Sequence, residues 1–227
     1  MITHADQLEL FRLVGMHLSR DITCYAFGGT AMMFYGYTDE TKDVDLLFET
    51  TEDRDLFIAA LTRLGYTETS PIRIYELRKA RAKTAPLMYK RGDTRFDLFA
   101  EKIFQTLLSP RMRDDVAATH DFKEQHLLHV NVLQPEQIVI LKSVTDRQND
   151  FDDILTILER TKTFDWQYVM DEVGWQYAHG DGWVVFDMEE TLQQLKKHLL
   201  IEEKYLTQLY ALGAKPRKRS RAKIARS

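Results

Sequence analysis

The sequence predicts an α+β fold, in which a mixed sheet flanked by helices is followed by a C-terminal helical region. Two observations support this prediction. Up to about residue 133, short apolar segments typical of strands alternate with segments whose apolar residues recur at helical spacing. Beyond that point every periodic segment is helical. We therefore expect a core domain at 1–133, a helical region at 134–214 and a basic, disordered tail at 215–227.

The first half of the chain alternates between helix and strand patterns. Apolar residues at spacings of three and four predict the first helix, and short apolar runs bounded by Gly or polar residues predict the strands. Thr50 and Asp53 form a capping signature before a helix that Gly65 ends. In chain order, the predicted elements are helix 5–19, strand 24–27, helix 30–37, strand 43–49, helix 50–65, candidate strands 72–77 and 86–90, and strand 94–100.

The second half of the chain is predicted to be helical after one last strand. Residues 111–128 are polar and give no clear pattern. Pro135 suits the first turn of a helix, and Asn149 and Asp150 suit the start of the next one. The predicted elements are strand 129–133 and helices 135–147, 149–161, 165–180 and 186–213.

Composition indicates a globular, cytoplasmic protein. Hydrophobic residues make up 44% of the chain, which is ample for a buried core. No run approaches the roughly 18 apolar residues of a membrane span, and the N-terminus lacks the basic-then-apolar layout of a signal peptide. The single cysteine, Cys24, cannot form an intramolecular disulfide, which fits a reducing compartment.

Charge is distributed unevenly along the chain. The last thirteen residues carry seven Lys or Arg and no acid, which leaves 24 of the 31 basic side chains and all 35 acidic ones in residues 1–214. Such a tail can contact nucleic-acid phosphates by counterion release, or it can be a solubilising terminus that folds back on the acidic body. A second basic segment can line a groove for phosphates or form a solvated hairpin edge. Its basic residues are Arg78, Lys79, Arg81 and Lys83.

Two carboxylates on the predicted strand at 43–49 point into the same small volume. Because strand side chains alternate between faces, Asp43 and Asp45 project to one side while Val44 points into the core. Two ionised carboxylates repel each other unless a cation lies between them, and Mg²⁺ prefers oxygen ligands of this kind. Asp97 adds a third carboxylate on an otherwise hydrophobic strand. Three carboxylates on neighbouring strands can hold two Mg²⁺ ions for in-line phosphoryl displacement.

A glycine turn precedes the first of these carboxylates by fifteen residues. Gly28 and Gly29 lie between a predicted strand and a predicted helix, where missing side chains let a phosphate approach backbone N–H groups. Thr30 adds a hydroxyl donor. A phosphate cradle and a metal pair on successive strands together describe a site for a nucleoside triphosphate. Either feature alone is common by chance.

The combination resembles the nucleotidyltransferase superfamily with the DNA polymerase beta type fold. That family's signature is an apolar residue before Gly-Gly or Gly-Ser, a gap, an Asp-x-Asp pair on an apolar strand, and a third Asp on a later strand. Here the motif begins at Phe27-Gly28-Gly29, and a gap of thirteen residues separates it from Asp43-Val-Asp45. The resemblance implies a nucleotidyltransferase-type mixed sheet, with Asp43, Asp45 and Asp97 as catalytic residues and metal ligands.

More narrowly, the segments GGTAMMFYG and TKDVDLLF resemble the small prokaryotic nucleotidyltransferases that include the AbiEii-type toxins of toxin–antitoxin systems. In those proteins a Lys, an Arg and an Asp after the sheet assist the triphosphate and the active site. The matching residues here are Lys142, Arg147, Asp150 and Asp153. The resemblance covers about residues 24–160.

Each of these matches has a plainer explanation. Lys142 can extend its amine along an apolar helix to the surface. Arg147 and Asp150 can form a surface ion pair at a spacing of three residues. First-turn acids such as Asp150 and Asp153 stabilise a helix N-terminus without any catalysis.

The resemblance implies a Mg²⁺-dependent nucleotidyltransferase that moves a nucleoside monophosphate from an NTP to a hydroxyl acceptor and releases pyrophosphate. The basic segments favour an RNA acceptor such as a tRNA end, whereas a hydroxyl of a protein, for instance a cognate partner, and a small molecule stay open. Two alternatives have different chemistry. One is a non-catalytic nucleotide-binding or antitoxin-like regulatory module, and the other is a metal-dependent phosphohydrolase with water as the acceptor.

Overall fold

The computed structural model describes residues 1–70, 85–104, 106–145, 149–180 and 182–214. These residues form an α+β fold with a mixed sheet and a C-terminal helical region, which confirms the predicted fold class. The candidate strand at 72–77 lies outside the described residues.

The elements of the described residues follow one another in this order. The strands are β1 (Ile2–Thr3), β2 (Ile22–Ala26), β3 (Glu40–Thr41), β4 (Asp43–Phe48), β5 (Thr67–Thr69), β6 (Leu87–Arg91), β7 (Thr94–Ala100), β8 (Lys102–Ile103), β9 (Thr106–Leu107), β10 (Ala118–Lys123) and β11 (Leu127–Val132). The helices are α1 (His4–Gly15), α2 (Gly28–Phe34), α3 (Thr51–Arg63), α4 (Pro110–Asp114), α5 (Pro135–Thr145), α6 (Asp150–Arg160), α7 (Trp166–His179), α8 (Trp183–Leu195) and α9 (Glu203–Gly213).

Seven of the strands form the path of the main sheet, in the order β10–β11–β2–β4–β7–β6–β5. The pairs β11–β2 and β4–β7 are parallel, and the other pairs along the path are antiparallel. The short strands β8 and β9 continue from β7, while β1 and β3 pair with each other. The sheet is therefore mixed, with the parallel pair β4–β7 inside it.

The register of β4 and β7 fixes which side chains meet on the sheet. Asp45 lies opposite Asp97, and Asp43 lies opposite Arg95. Antiparallel pairing of β6 with β7 then places Lys90 opposite Arg95. Because directly paired residues share a face of the sheet, charged side chains from three neighbouring strands lie side by side.

The two faces of the sheet carry separate hydrophobic cores. On one face Val44, Leu46 and Phe96 pack together with residues of α1 and α3. On the other face Leu47 and Phe99 belong to a core that extends through the helices α5 to α9. Buried side chains are therefore shared across the predicted boundary between residues 133 and 134. The division into domains itself stays a prediction.

Local sequence signals position the first helices. Thr3 Oγ1 accepts a hydrogen bond from the Asp6 backbone N–H at 3.2 Å, and the Asp6 carboxylate accepts one from the Thr3 N–H at 2.9 Å. Thr50 Oγ1 accepts from the Asp53 N–H at 3.1 Å, as the capping signature predicts. These bonds satisfy N–H groups that the first turn of a helix leaves without a partner.

The prediction of a single helix over 186–213 is wrong, because residues 196–202 separate α8 from α9. Gln193 on α8 donates a hydrogen bond to the Tyr210 hydroxyl on α9 at 3.3 Å, so the two helices lie side by side. Folding back lets Leu192 and the apolar face of α9 share one core. One long helix and a pair of packed helices have the same 3.6-residue period, so the sequence pattern does not distinguish them.

The polar segment 111–128, which has no clear sequence pattern, contains most of α4 and all of β10. Among the described strands β10 lies at the edge of the sheet and pairs with β11 alone, and most of its side chains are exposed. A strand with one partner and little burial does not need the apolar alternation that reveals inner strands. The helix predicted at 30–37 begins two residues earlier, at Gly28, and ends at Phe34.

Within the described ranges, no helix combines the length and the apolar character that crossing a membrane requires.

Candidate active site

Three carboxylates converge near the start of the parallel pair β4–β7. Asp43 and Asp45 lie on β4, and Asp97 lies on β7. Each offers a carboxylate oxygen, and the three oxygens lie within 4.8 Å of one another. Asp45 and Asp97 are buried, whereas the Asp43 side chain keeps 13% of its surface exposed. The predicted convergence is therefore present, while the roles of these residues as metal ligands and catalytic groups stay predictions.

Arg95 supplies a positive charge inside this cluster. Its Nε donates to Asp97 Oδ1 at 2.7 Å, and its Nη2 donates to Asp97 Oδ2 at 3.3 Å and to Asp43 Oδ2. A buried carboxylate is costly unless it is paired, and the guanidinium offsets that cost for Asp97. Sequence reasoning missed Arg95. The signal was available, because Arg95 and Asp97 are two residues apart on one strand and must share a face.

Gly28 permits the close approach of the glycine turn to Asp45. Its φ of +55° lies in the left-handed region that favours glycine. A Cβ atom at Gly28 would lie 2.4 Å from Asp45 Oδ2, a distance that real Cβ contacts essentially never show. A side chain here would therefore displace the carboxylate, which gives Gly28 a function in the acid cluster in addition to its predicted contact with phosphate.

Gly29 and Thr30 connect the start of α2 to the neighbouring strands. A Cβ atom at Gly29 would lie 2.4 Å from Thr41 Oγ1 on β3. Thr30 is fully buried, and its Oγ1 accepts a hydrogen bond from the Asp45 backbone N–H at 2.8 Å. Thr30 therefore holds the strand that carries two of the acids. The phosphate contacts of Gly28, Gly29 and Thr30 stay predictions.

The acid cluster opens into a cleft of about 470 Å³. Its walls come from α2, β3, the starts of β4 and β7, and the start of α6. Among the described residues, five acids and two bases line it, namely Glu40, Asp43, Asp45, Asp150 and Asp153 against Lys42 and Arg95. An excess of carboxylates attracts cations, and it repels a triphosphate unless cations bind as well.

Lys142 on α5 lies behind the wall of this cleft and contacts two acids of α6. The side chain is 2% exposed, and its Nζ donates to Asp150 Oδ1 at 3.1 Å and to Asp153 Oδ2 at 2.5 Å. Thr145 Oγ1 donates to Asp150 Oδ2 at 2.6 Å. Lys142 is thus buried rather than extended to the surface. Asp150 is buried too, so it is not part of an exposed ion pair.

Several predicted contacts lie outside the described residues. They are the nucleotide contact of Arg147 and the proposed RNA contacts of Arg78, Lys79, Arg81, Lys83 and the tail at 215–227. The predictions for these residues are unchanged.

The donor set of the acid cluster fits a hard divalent cation. Asp43, Asp45 and Asp97 offer only oxygen atoms, which Mg²⁺ and Mn²⁺ prefer, and the cluster has no His or Cys of the kind that favours zinc. The Arg95 guanidinium already contacts two of the three carboxylates, so the position attracts positive charge. A metal ion that binds these oxygens has to compete with Arg95.

No protein-family model matches the chain, and a search of curated proteins finds no match either. The resemblance to nucleotidyltransferases therefore depends on the sequence motifs and stays a prediction.

Proposed function

We propose that the protein is a metal-dependent nucleotidyltransferase, which transfers a nucleoside monophosphate from a nucleoside triphosphate to a hydroxyl acceptor. The observation that carries this proposal is the convergence of Asp43, Asp45 and Asp97, whose oxygens lie within 4.8 Å of one another. The resemblance implies two acids on one strand and a third on a later strand, and in this fold β4 carries two acids and its neighbour β7 carries the third.

The three acids are the proposed ligands of divalent cations, Mg²⁺ in the first place. When bound, such ions neutralise the charge of a triphosphate and lower the pKa of an attacking hydroxyl. The burial of Asp45 and Asp97 supports this assignment, because charges in a water-poor site interact strongly. Arg95 offsets part of the negative charge of the cluster by pairing with Asp43 and Asp97.

In the proposed reaction the acceptor oxygen forms a bond to the α-phosphorus, and the bond from that phosphorus to the pyrophosphate oxygen breaks. Asp97 is the proposed acceptor of the hydroxyl proton, which requires Arg95 to release it first. The turn from Gly28 to Thr30 is the proposed seat of the outer phosphates.

Lys142, Arg147 and Asp150 complete the proposed nucleotide site. The Lys142 amine offsets negative charge beside the leaving pyrophosphate, as it already does for Asp150 and Asp153. RNA is the proposed acceptor, because the basic residues at 78–83 and at 215–227 are suited to phosphate contacts.

Calorimetric titration tests nucleotide binding. ATP, CTP, GTP and UTP are titrated into the protein with Mg²⁺ and, separately, with EDTA. We expect Mg²⁺-dependent binding of at least one nucleotide, and we expect Asp43→Asn/Asp45→Asn to abolish it because amides are poor ligands for a hard cation. Asp152→Asn, which changes an exposed acid on α6, is the matched control and should bind normally. A wild type that binds no nucleotide, or a double variant that binds equally well, would overturn the proposal.

Incubation with labelled nucleotides and total RNA or total protein tests the transfer itself. Label retained by the RNA fraction is the expected result, and label on protein would move the acceptor to a protein hydroxyl. Release of inorganic phosphate without any acceptor would indicate a phosphohydrolase. Nucleotide binding with neither transfer nor hydrolysis would indicate a non-catalytic module.

A further inference from the structure

Positively charged side chains lie next to the acid cluster, in a row that crosses neighbouring strands of the sheet. Asp43 on β4 lies opposite Arg95 on β7, which in turn lies opposite Lys90 on β6. Because side chains of directly paired residues share a face, an acid, a guanidinium and an amine follow one another across three strands. Lys42, which directly precedes Asp43, brings a second amine to the same place.

The two lysines have no acidic partner within the described part of the chain. Lys42 and Lys90 are both exposed, and neither forms an ion pair with a described residue. Arg95 is already engaged with Asp43 and Asp97. Like charges directly opposite each other on one face of a sheet are destabilising, so Lys90 beside Arg95 has a cost. An anion bound between these side chains would offset that cost.

These cations line a pocket of about 260 Å³ beside the cleft. Of the lining residues that the structure describes, Asp93 is the one acid that Lys42, Lys90 and Arg95 face there. The charge balance is thus opposite to that of the cleft, where acids outnumber bases. Lys42 and Arg95 line both spaces, so the pocket and the cleft share a wall.

We propose that the pocket formed by Lys42, Lys90 and Arg95 binds a phosphate group next to the acid cluster. Ammonium and guanidinium groups are the side chains that bind phosphate oxygens by charge-assisted hydrogen bonds. Asp93 and Asp43 oppose an anion here, which limits its affinity. The inference rests on the proposed function for the source of the phosphate, which belongs either to the nucleotide or to an acceptor strand.

Tripolyphosphate in EDTA is the first probe, because it carries phosphate charge without base, sugar or metal. Calorimetric titration compares the wild type with Lys90→Gln and Lys42→Gln. Lys123→Gln is the matched control, since Lys123 is also an exposed lysine but lies on β10, at the opposite edge of the sheet. We expect each pocket variant to bind about threefold to tenfold more weakly, and the control to bind as the wild type does.

The proposal is wrong if the wild type does not bind tripolyphosphate, or if both pocket variants bind it as tightly as the wild type. Equal weakening by Lys123→Gln would also overturn it, because that result indicates attraction by net charge alone.

Two further titrations identify the source of the phosphate. Weaker binding of the Mg²⁺-nucleotide complex by Lys90→Gln assigns the pocket to the nucleotide. Unchanged nucleotide binding with weaker binding of a short single-stranded RNA, and a salt slope reduced by about 0.7, assigns it to the acceptor. If Lys90→Gln changes neither, the pocket has no part in substrate binding and the proposal fails.

Failure of the proposed function is recognised separately. Asp43→Asn/Asp45→Asn should abolish Mg²⁺-dependent nucleotide binding but keep the binding of tripolyphosphate in EDTA, because the three cations remain. A wild type that binds tripolyphosphate and single-stranded RNA through Lys90 but binds no nucleotide would leave the phosphate pocket standing without the transferase.

Discussion

Arg95 lines the cleft and Lys142 lies behind its wall, and the acids around these two cations differ in number and in exposure. Lys142 has two acids of α6 as partners, and its side chain is 2% exposed. Arg95 contacts Asp43 and Asp97, and Asp45 offers a further oxygen to the same cluster. The Arg95 side chain is 16% exposed. The Lys142 cluster has one acid in excess around a buried cation, whereas the Arg95 cluster has two acids in excess around a cation that lines the cleft.

This difference indicates that acids near one cleft can have different roles, some in stability and others in cation binding. The ion pair of Lys142 with Asp150 holds α5 and α6 together, because removal of either partner leaves a buried charge. An acid-rich, partly open cluster can exchange its internal cation for one from solution. We therefore expect substitutions at Lys142 to lower stability in a way that does not depend on Mg²⁺, and substitutions at Arg95 to act on stability and on metal binding together.

The largest effect is expected for Lys142→Met, which removes the charge and keeps most of the apolar stem. Asp150 then stays buried with one partner fewer, and the free energy of unfolding should fall by about 3 to 5 kcal/mol, the usual cost of breaking a buried pair. Urea denaturation measures it. Mg²⁺ should not restore the loss, and restoration by Mg²⁺ would contradict the distinction between the two clusters.

Lys196→Met is the matched control for this substitution. Lys196 pairs with Glu203 at the surface, so its loss should cost only about 0 to 1 kcal/mol. Lys142→Met/Asp150→Asn should be more stable than Lys142→Met alone, because the second change removes the buried charge.

The second-largest effect on stability is expected for Arg95→Met. In EDTA the variant should lose up to about 3 kcal/mol, at the lower end of the range for broken buried pairs, because Arg95 and Asp43 keep some contact with water. Thermal denaturation with increasing Mg²⁺ should show a larger stabilisation than in the wild type, since the metal no longer competes with the guanidinium. Weaker stabilisation by Mg²⁺ in the variant would mean that Arg95 helps metal binding rather than opposing it.

Gly28→Ala tests the acid cluster without changing any of its charges. The left-handed backbone alone costs about 1 to 2 kcal/mol, and the contact with Asp45 Oδ2 adds to this. Mg²⁺ affinity, measured by calorimetry, should fall because Asp45 has to move. Gly36→Ala is the control, since Gly36 has a φ of +69° but open space around its Cβ position. It should cost stability and keep the Mg²⁺ affinity of the wild type.

The smallest effect is expected for Glu172→Gln on α7, a buried acid that hydrogen bonds satisfy. Ser109 Oγ donates to it at 3.0 Å and Gln176 Nε2 at 2.9 Å. Burial raises the pKa of Glu172 above 4.5, although these hydrogen bonds oppose the shift. The folded state therefore holds the proton more tightly than the unfolded state does. The contribution of Glu172 to stability is full below pH 4.5 and is lost as the pH rises through the folded-state pKa.

Denaturation midpoints of the wild type and of Glu172→Gln, measured from below pH 4.5 to above it, test this pH dependence of stability. The free energy of unfolding of the wild type should fall relative to that of the variant as the pH rises. A difference that does not change with pH would show that Glu172 has an ordinary pKa in the folded protein.

The sequence predicted the parts of the site that depend on local alternation. Residues two apart on a strand share a face, so the convergence of Asp43 and Asp45 followed from their spacing alone. The position of Asp97 beside them needed only the expectation that its strand is a neighbour. Metal binding and catalysis by these acids stay predictions.

The parts that the sequence did not predict depend on long-range pairing. Nothing in the local pattern places Arg95 opposite Asp43, because that contact follows from the register of two strands far apart in the chain. The sequence also suggested Lys142 and Asp150 as site residues, which stays a prediction, and it did not indicate that they are partners of each other. Likewise, the break between α8 and α9 follows from packing that periodicity does not encode.

The parallel pair β4–β7 has a consequence for the order in which the chain assembles. Asp43 and Arg95 are 52 residues apart, so the acids meet only after a long loop has closed, which is a slow kind of contact to form. Arg95 and Asp97 lie on the same strand, so the third acid has a positive charge beside it in the sequence. A growing chain that ends before β7 carries Asp43 and Asp45 but lacks Asp97, so its acid cluster is incomplete. Metal binding by all three acids should therefore report that β4 and β7 have paired.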